Sequence, residues 1–137
     1  MSKNPCHALA EAGTAVWLDQ LSRVLIREGR LESLIGEAAL SGVTSNPAIF
    51  QKAMTSGPAY DAQIAELAPR KLAAEALYEE LAVLDIRMAC DTLMPVWERT
   101  HGADGFVSLE VSPHLARDGA GTIAAAKRLS SWVQRPN

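Results

Sequence analysis

The stretch 42-GVTSNPAIF-50 starts as an apolar run, breaks into Thr-Ser-Asn-Pro and then resumes as an apolar segment. A strand on its way into a core gains nothing by ending on such a cluster. Part of the explanation is local. Pro47 suits the first position of a helix, where its missing N–H costs nothing, and Asn46 before it is a good N-cap. SGVTSN (41–46) therefore reads as a short strand running straight into a capped helix. Side chains alternate along a strand, so Thr44 and Asn46 share one face and Val43 and Ser45 the other.

Two other stretches repeat this design. TAVWLD (14–19) sets Trp17 and Asp19 opposite Val16 and Leu18. DGFVSLEVSP (104–113), bounded by Asp-Gly and Ser-Pro, sets Phe106, Ser108 and Glu110 opposite Val107, Leu109 and Val111. Each strand keeps an aliphatic face for packing under helices. Each also carries a polar group near its carboxyl end on the opposite face: Asp19, Asn46 and Glu110. Taken singly, these residues have plain structural readings. Asp19 caps the helix beginning near Leu21, Asn46 caps its own helix, and Glu110 reaches water. Ser108 either lines a cavity or fills space. Taken together on one strand-end face, the three favour function, because ligands of parallel α/β folds bind where strands end. Two carboxylates and an amide at one mouth suit proton transfer and the orientation of a hydroxyl-bearing substrate.

The segments between the strands read as helices. In LSRVLIREGRLESLIGEA (21–38), Leu21, Val24, Leu25, Leu31, Leu34 and Ile35 recur at helical spacing, with Gly29 ending one piece before the next. Residues 60–100 read as helix in pieces, interrupted at Pro69. Leu72, Leu77, Leu81 and Leu84 form one stripe there. Asp85 is the expected cap of a further segment holding Ile86, Met88, Leu93 and Val96. Pro95 inside it costs about 3 kcal/mol and predicts a kink. YEELAVLD (78–85) reads as a solvated acidic face interleaved with core leucines. GTIAAAKRLSSWVQ (121–134) is a helix and RPN (135–137) a loop. Strands alternating with helices imply parallel pairing through right-handed crossovers, in an open sheet or an arc of a barrel.

Composition narrows the function classes. The 137 residues suit one domain, and 48% hydrophobic content suits a packed core. A net charge of −3 gives no electrostatic footprint for nucleic acid. No apolar run is long enough for a membrane span, and the N-terminus lacks a signal-peptide core, so a cytoplasmic location is expected. Cys6 and Cys90 read as reduced thiols without metal-ligand spacing. His7, His101 and His114 lack partners at triad or metal spacing, and Trp97 and Trp132 read as core or interface.

At these residues the sequence resembles the transaldolase family of class I aldolases, in the bacterial type related to transaldolase/phosphoglucose isomerase fusions. VWLDQLSR is similar to the family's first-strand motif with its acid–base aspartate, here Asp19. GVTSNPAIF resembles its second-strand signature with the substrate-positioning asparagine, here Asn46. DGFVSLEVSP followed by HLARDGAGTIAAAKRL is similar to the third-strand motif with the catalytic glutamate, here Glu110. The likeness covers nearly the whole chain.

The resemblance implies that residues 1–137 are the N-terminal part, three βα units, of a TIM (β/α)8 barrel. It implies a pentose phosphate pathway transferase that moves a dihydroxyacetone unit from sedoheptulose 7-phosphate to glyceraldehyde 3-phosphate through a lysine Schiff base, with no cofactor or metal. Asp19 and Glu110 would be catalytic, and Asn46, Thr44 and Ser108 would face the sugar phosphate. The family's Schiff-base lysine lies on a fourth strand, after an RPN-like loop. Lys3, Lys52, Lys71 and Lys127 are all expected in helices or flanking segments, so the isolated chain is expected to be inactive. A barrel needs about 250 residues to fill its interior layers, and open edges of a three-stranded sheet invite a complementing C-terminal fragment or self-association. A non-catalytic sugar-phosphate binding or assembly module and a fructose-6-phosphate aldolase are the alternatives.

Overall fold

Asn4 and Pro5 repeat near the N-terminus the cap-then-proline device of Asn46 and Pro47. The Asn4 side chain accepts from the Cys6 N–H and Pro5 opens helix α1, Pro5–Glu11. The computed structural model describes residues 4–137. After α1 come strand β1 (Val16–Leu18), helices α2 (Arg23–Arg27) and α3 (Arg30–Glu37), and strand β2 (Leu40–Val43). Helices α4 (Pro47–Thr55), α5 (Asp61–Leu67) and α6 (Ala74–Arg99) follow, then strand β3 (Phe106–Val107) and helix α7 (Gly119–Val133). Short 3-10 turns occupy Pro58–Tyr60, Ala68–Arg70 and Pro113–Leu115. α1 was not anticipated from the sequence.

The sheet is parallel throughout, in the order β1-β2-β3. Trp17 pairs with Gly42, Leu18 with Val43, Gly42 with Phe106 and Val43 with Val107. Sequential order with parallel pairing fits a barrel arc, and equally one half of a doubly wound sheet, whose order reverses only after its third strand. The chain is therefore α/β, with a three-stranded parallel sheet consistent with part of a TIM barrel. The core lies on one face, where Leu40 and Val43 meet Leu21, Leu31, Phe50, Ile86, Ala89, Leu93, Val96 and Leu129. Leu18, Val107, Leu109 and Val111 pack against that same cluster.

All three strands are shorter than their sequence spans. β3 is the most reduced, because past Ser108, whose N–H donates to the Val43 carbonyl at 2.9 Å, residues 109–112 have no regular partner strand. Gly29, in the left-handed conformation at φ 71°, separates α2 from α3 as its position foretold.

The interruption expected at Pro69 is present between α5 and α6, but α6 starts no further segment at Asp85. The helix runs unbroken over 26 residues with Pro95 inside it. Pro95 is exposed, so the backbone carbonyl that loses its partner sits on the solvent side while Leu93 and Val96 hold the helix to the core. Asp85 caps nothing. It lies mid-helix with 0% exposure, and Leu81, Ala82 and Val83 before it are buried too. In YEELAVLD the second half is thus largely interior and the first half half-buried, and the buried acid is paired with Arg23.

Arg23 is 1% exposed, and its Nε donates to Asp85 Oδ1 at 2.7 Å. Its Nη2 donates to Gln63 Oε1 at 2.6 Å and to the Leu81 carbonyl at 3.3 Å. Its guanidinium lies 4.2 Å from the centre of the Tyr60 ring. The Tyr60 hydroxyl donates to Asp85 Oδ2 at 2.6 Å and accepts from the Arg23 backbone N–H at 3.1 Å. Burial pushes the Asp85 carboxyl above its ordinary range, and the bonds from Tyr60 and Arg23 pull it back. Burial and then Asp85 itself hold the Tyr60 phenol well above its ordinary value, so it remains a donor.

Breaking a buried pair from one side strands the other charge. Asp85→Ala is expected to lower the unfolding free energy by about 3–5 kcal/mol in urea titration. Tyr60→Phe, which leaves the pair but removes one donor to the carboxylate, is expected to cost about 1.5–3 kcal/mol. A loss under about 1 kcal/mol for Asp85→Ala would mean that the ion pair does not hold the helical layer together.

Candidate active site

The face of the sheet away from the core is built around Trp17. A Cβ at Gly42 would collide with the Trp17 indole, so the absence of a side chain there lets the ring lie across the neighbouring strand. Trp17 keeps 39% exposure, and Phe106 beside Gly42 is half-buried. The alternation read from the sequence holds here: Val43 and Leu18 go to the core, and Trp17, Gly42 and Phe106 to the open face.

At the carboxyl end of this face the first two strands meet. The Thr44 N–H donates to the Leu18 carbonyl at 2.9 Å, extending the ladder past β2. The Thr44 hydroxyl then donates to Asp19 Oδ1 at 2.6 Å. Asp19 is exposed, so the carboxylate has one oxygen oriented by a neighbour and remains open to solvent and solute.

Asn46 has the local role expected of it. Its Oδ1 accepts from the Ile49 N–H at 2.9 Å and caps α4. No hydrogen bond from its Nδ2 is found among the described residues, so the cap orients the amide with its donor end free. Structural and functional readings of Asn46 are therefore compatible rather than rival.

The second and third strand ends are joined by a residue that sequence reasoning passed over. Ser45 is 2% exposed, and its hydroxyl donates to the Ser108 carbonyl at 2.7 Å. A signal was present, since Ser45 is a polar residue on the core-facing parity and such groups require partners. Ser108, half-buried, contributes backbone to this clamp through both its N–H and its carbonyl.

Glu110 is exposed and lies beyond the regular part of β3, with Leu109 and Val111 turned to the core on either side. It lines a hollow of about 550 Å³ together with Pro47, Gln51, Tyr78 and His114. Asp19 lines a different hollow of about 490 Å³ with Ser22, Ile49, Lys52 and Ser56. The structure thus links Asp19 to Thr44 directly and Ser45, the residue before Asn46, to the Ser108 backbone. Glu110 and Asp19 line separate hollows that share no residue, though α4 side chains border both.

The basic candidates are placed otherwise. Lys52 on α4, Lys71 after the second 3-10 turn and Lys127 on α7 are all exposed and none lies on a strand. Lys3 falls outside the described residues. His101 and His114 are exposed, and His7 is on α1. Trp97 is half-buried, and a Cβ at Gly105 would clash with its backbone and Cβ, so Gly105 at φ 88° permits β3 to begin against α6.

The family model described as Transaldolase/Fructose-6-phosphate aldolase matches residues 16–137. The chain is 50% identical over 129 residues to the transaldolase of Thiobacillus denitrificans, covering 94% of the chain and 36% of that relative. It is 49% identical over 134 residues to the transaldolase of Thermobifida fusca, covering 98% of the chain and 36% of the relative. With the transaldolase of Mycobacterium tuberculosis the identity is 50% over 130 residues, 95% of the chain and 35% of the relative. The chain spans about a third of the length of these curated relatives. A family match over all but the first fifteen residues, on a parallel sheet with its polar residues at the strand ends, places the chain in the transaldolase/fructose-6-phosphate aldolase family.

Proposed function

We propose that residues 1–137 form the acid–base part of a transaldolase site in a single (β/α)8 domain of a cytoplasmic pentose phosphate enzyme, with sugar phosphates as substrates. The observation that carries this reading is the 2.6 Å bond from Thr44 to Asp19, which orients an exposed carboxylate at the carboxyl ends of two adjacent parallel strands. The amine belongs to a lysine outside these residues, on a strand paired with the free edge of β3, in the same chain or in a complementing fragment. On that edge the Val107 N–H donates to the Asn137 carbonyl at 2.9 Å. The Asn137 Nδ2 also donates to the carbonyls of Cys90 and Gly105 at 3.0 and 2.8 Å.

The chemistry follows from the groups. The lysine amine adds to the donor ketone and water leaves, giving an iminium ion. Asp19 takes the proton of the hydroxyl beside the bond to be cleaved. The carbon–carbon bond breaks, its electron pair moves to the iminium as an enamine, and the aldehyde departs. The acceptor aldehyde adds to the enamine by the reverse course. Glu110 moves protons through a water during imine formation and hydrolysis. The free Nδ2 of Asn46 holds a donor hydroxyl, while Thr44 and Ser108 line the same mouth. Electrons and protons balance without an external oxidant or reductant.

Two measurements test this. In a chimera that joins this chain at Asn137 to the C-terminal remainder of the Thermobifida fusca relative, Asp19→Asn and Glu110→Gln are each expected to lower kcat by about 100-fold or more with the melting temperature preserved. A large fall in melting temperature with kcat intact would instead make the two carboxylates structural. Borohydride reduction of the isolated chain with fructose 6-phosphate is expected to leave no covalent adduct by mass spectrometry. Lys52 is the sharpest check, because it shares a hollow with Asp19; an adduct there would move the nucleophile into this chain.

A further inference from the structure

The hydroxyl of Tyr78 is buried and has no hydrogen-bond partner, one of two such side-chain atoms among the described residues. Buried hydroxyls are almost always bonded, and leaving one unpaired is costly. Phe50 meets the ring edge to face with centroids 6.0 Å apart and planes at 81°. Tyr78 and Glu110 line one hollow.

Two carboxylates act on this phenol, Glu110 and its chain neighbour Glu79. Glu79 is already committed, since both its oxygens accept from Arg128, at 2.6 and 2.9 Å. Glu110 is exposed, and no hydrogen bond engages its carboxylate among the described residues. Burial first, then Glu110 and Glu79, pushes the Tyr78 phenol up to about 12, so it stays protonated and can only be improved as a donor by meeting an acceptor.

We propose that Tyr78 is the positioning residue of Glu110, donating its hydroxyl to the Glu110 carboxylate, directly or through one water held between them, and so fixing the carboxylate at the mouth of the site. This rests on the assignment of Glu110 as the group that handles water during imine formation. Tyr78 itself touches no substrate. Its position on α6, outside the three strand-end motifs, is why pattern reading did not single it out.

Two experiments decide it. In crystals of the chain, the Tyr78 hydroxyl is expected within about 2.5–3.2 Å of a Glu110 oxygen or of a water bonded to one. A phenol bonded to Gln51 or His114, or left unbonded, overturns the proposal. In the chimera with the Thermobifida fusca remainder, Tyr78→Phe is expected to lower kcat about five- to tenfold with KM within about twofold of wild type. In a Glu110→Gln background the same substitution is expected to cost nothing further. An equal loss in both backgrounds, or no loss beside an impaired Glu110→Gln, overturns the role of Tyr78 and leaves the proposed function standing. An unimpaired Glu110→Gln removes the ground for both.

Discussion

The Arg23–Asp85 ion pair is the constraint on which the rest of the molecule leans. It is wholly interior, and such pairs seldom stabilise a fold more than well-packed hydrophobic residues of the same volume would. Its merit lies in what it joins. Arg23 opens α2, Asp85 is mid-α6, and Tyr60 follows α4, so one network binds the first βα unit to the helices that follow the second. Because the Tyr60 hydroxyl also receives the Arg23 backbone N–H, the start of α2 is held in place. Asp19 lies four residues upstream on the same connection.

A second consequence concerns the two faces of the sheet. All the buried apolar side chains that touch the strands come from the helical side, whereas the other face carries an exposed tryptophan lying over a glycine. A sheet finished on one side only is what an arc of a barrel requires, and it explains why the polar strand ends look into open space. Beside β3 a hollow of about 300 Å³, lined by Ile86, Phe106, Leu109, Leu129 and Asn137, runs along the free edge. On that edge the Val107 N–H already donates to the Asn137 carbonyl.

How much of this was legible beforehand differs by residue type. Strand parity was readable because its period is two and each strand has aliphatic residues on one face only; Val43, Leu18 and Val107 went where alternation sent them. The cap at Asn46 was readable because proline and asparagine act within four residues. What escaped depended on contacts distant in sequence. Asp85 looked like a cap or a solvated acid, and nothing near it reveals a partner 62 residues earlier. Pro95 looked like a kink, since its cost is local and the packing that offsets it is not. Ser45 and Tyr78 were passed over for the same reason: each acts on a backbone or carboxylate belonging to another element. Glu110 is an intermediate case. Its face was readable from its apolar neighbours, but its hollow is defined by α4 and α6.

The central claim is that Asp19, Asn46 and Glu110 serve one reacting sugar. The most direct measurement is a crystal structure of the chimeric barrel trapped by borohydride on fructose 6-phosphate. The account predicts that Asp19 and the Asn46 Nδ2 lie within hydrogen-bond distance of hydroxyls of the trapped unit, with Glu110 reaching the reduced linkage through a water. A trapped sugar touching none of the three, or a Glu110 turned outward into solvent, would contradict it.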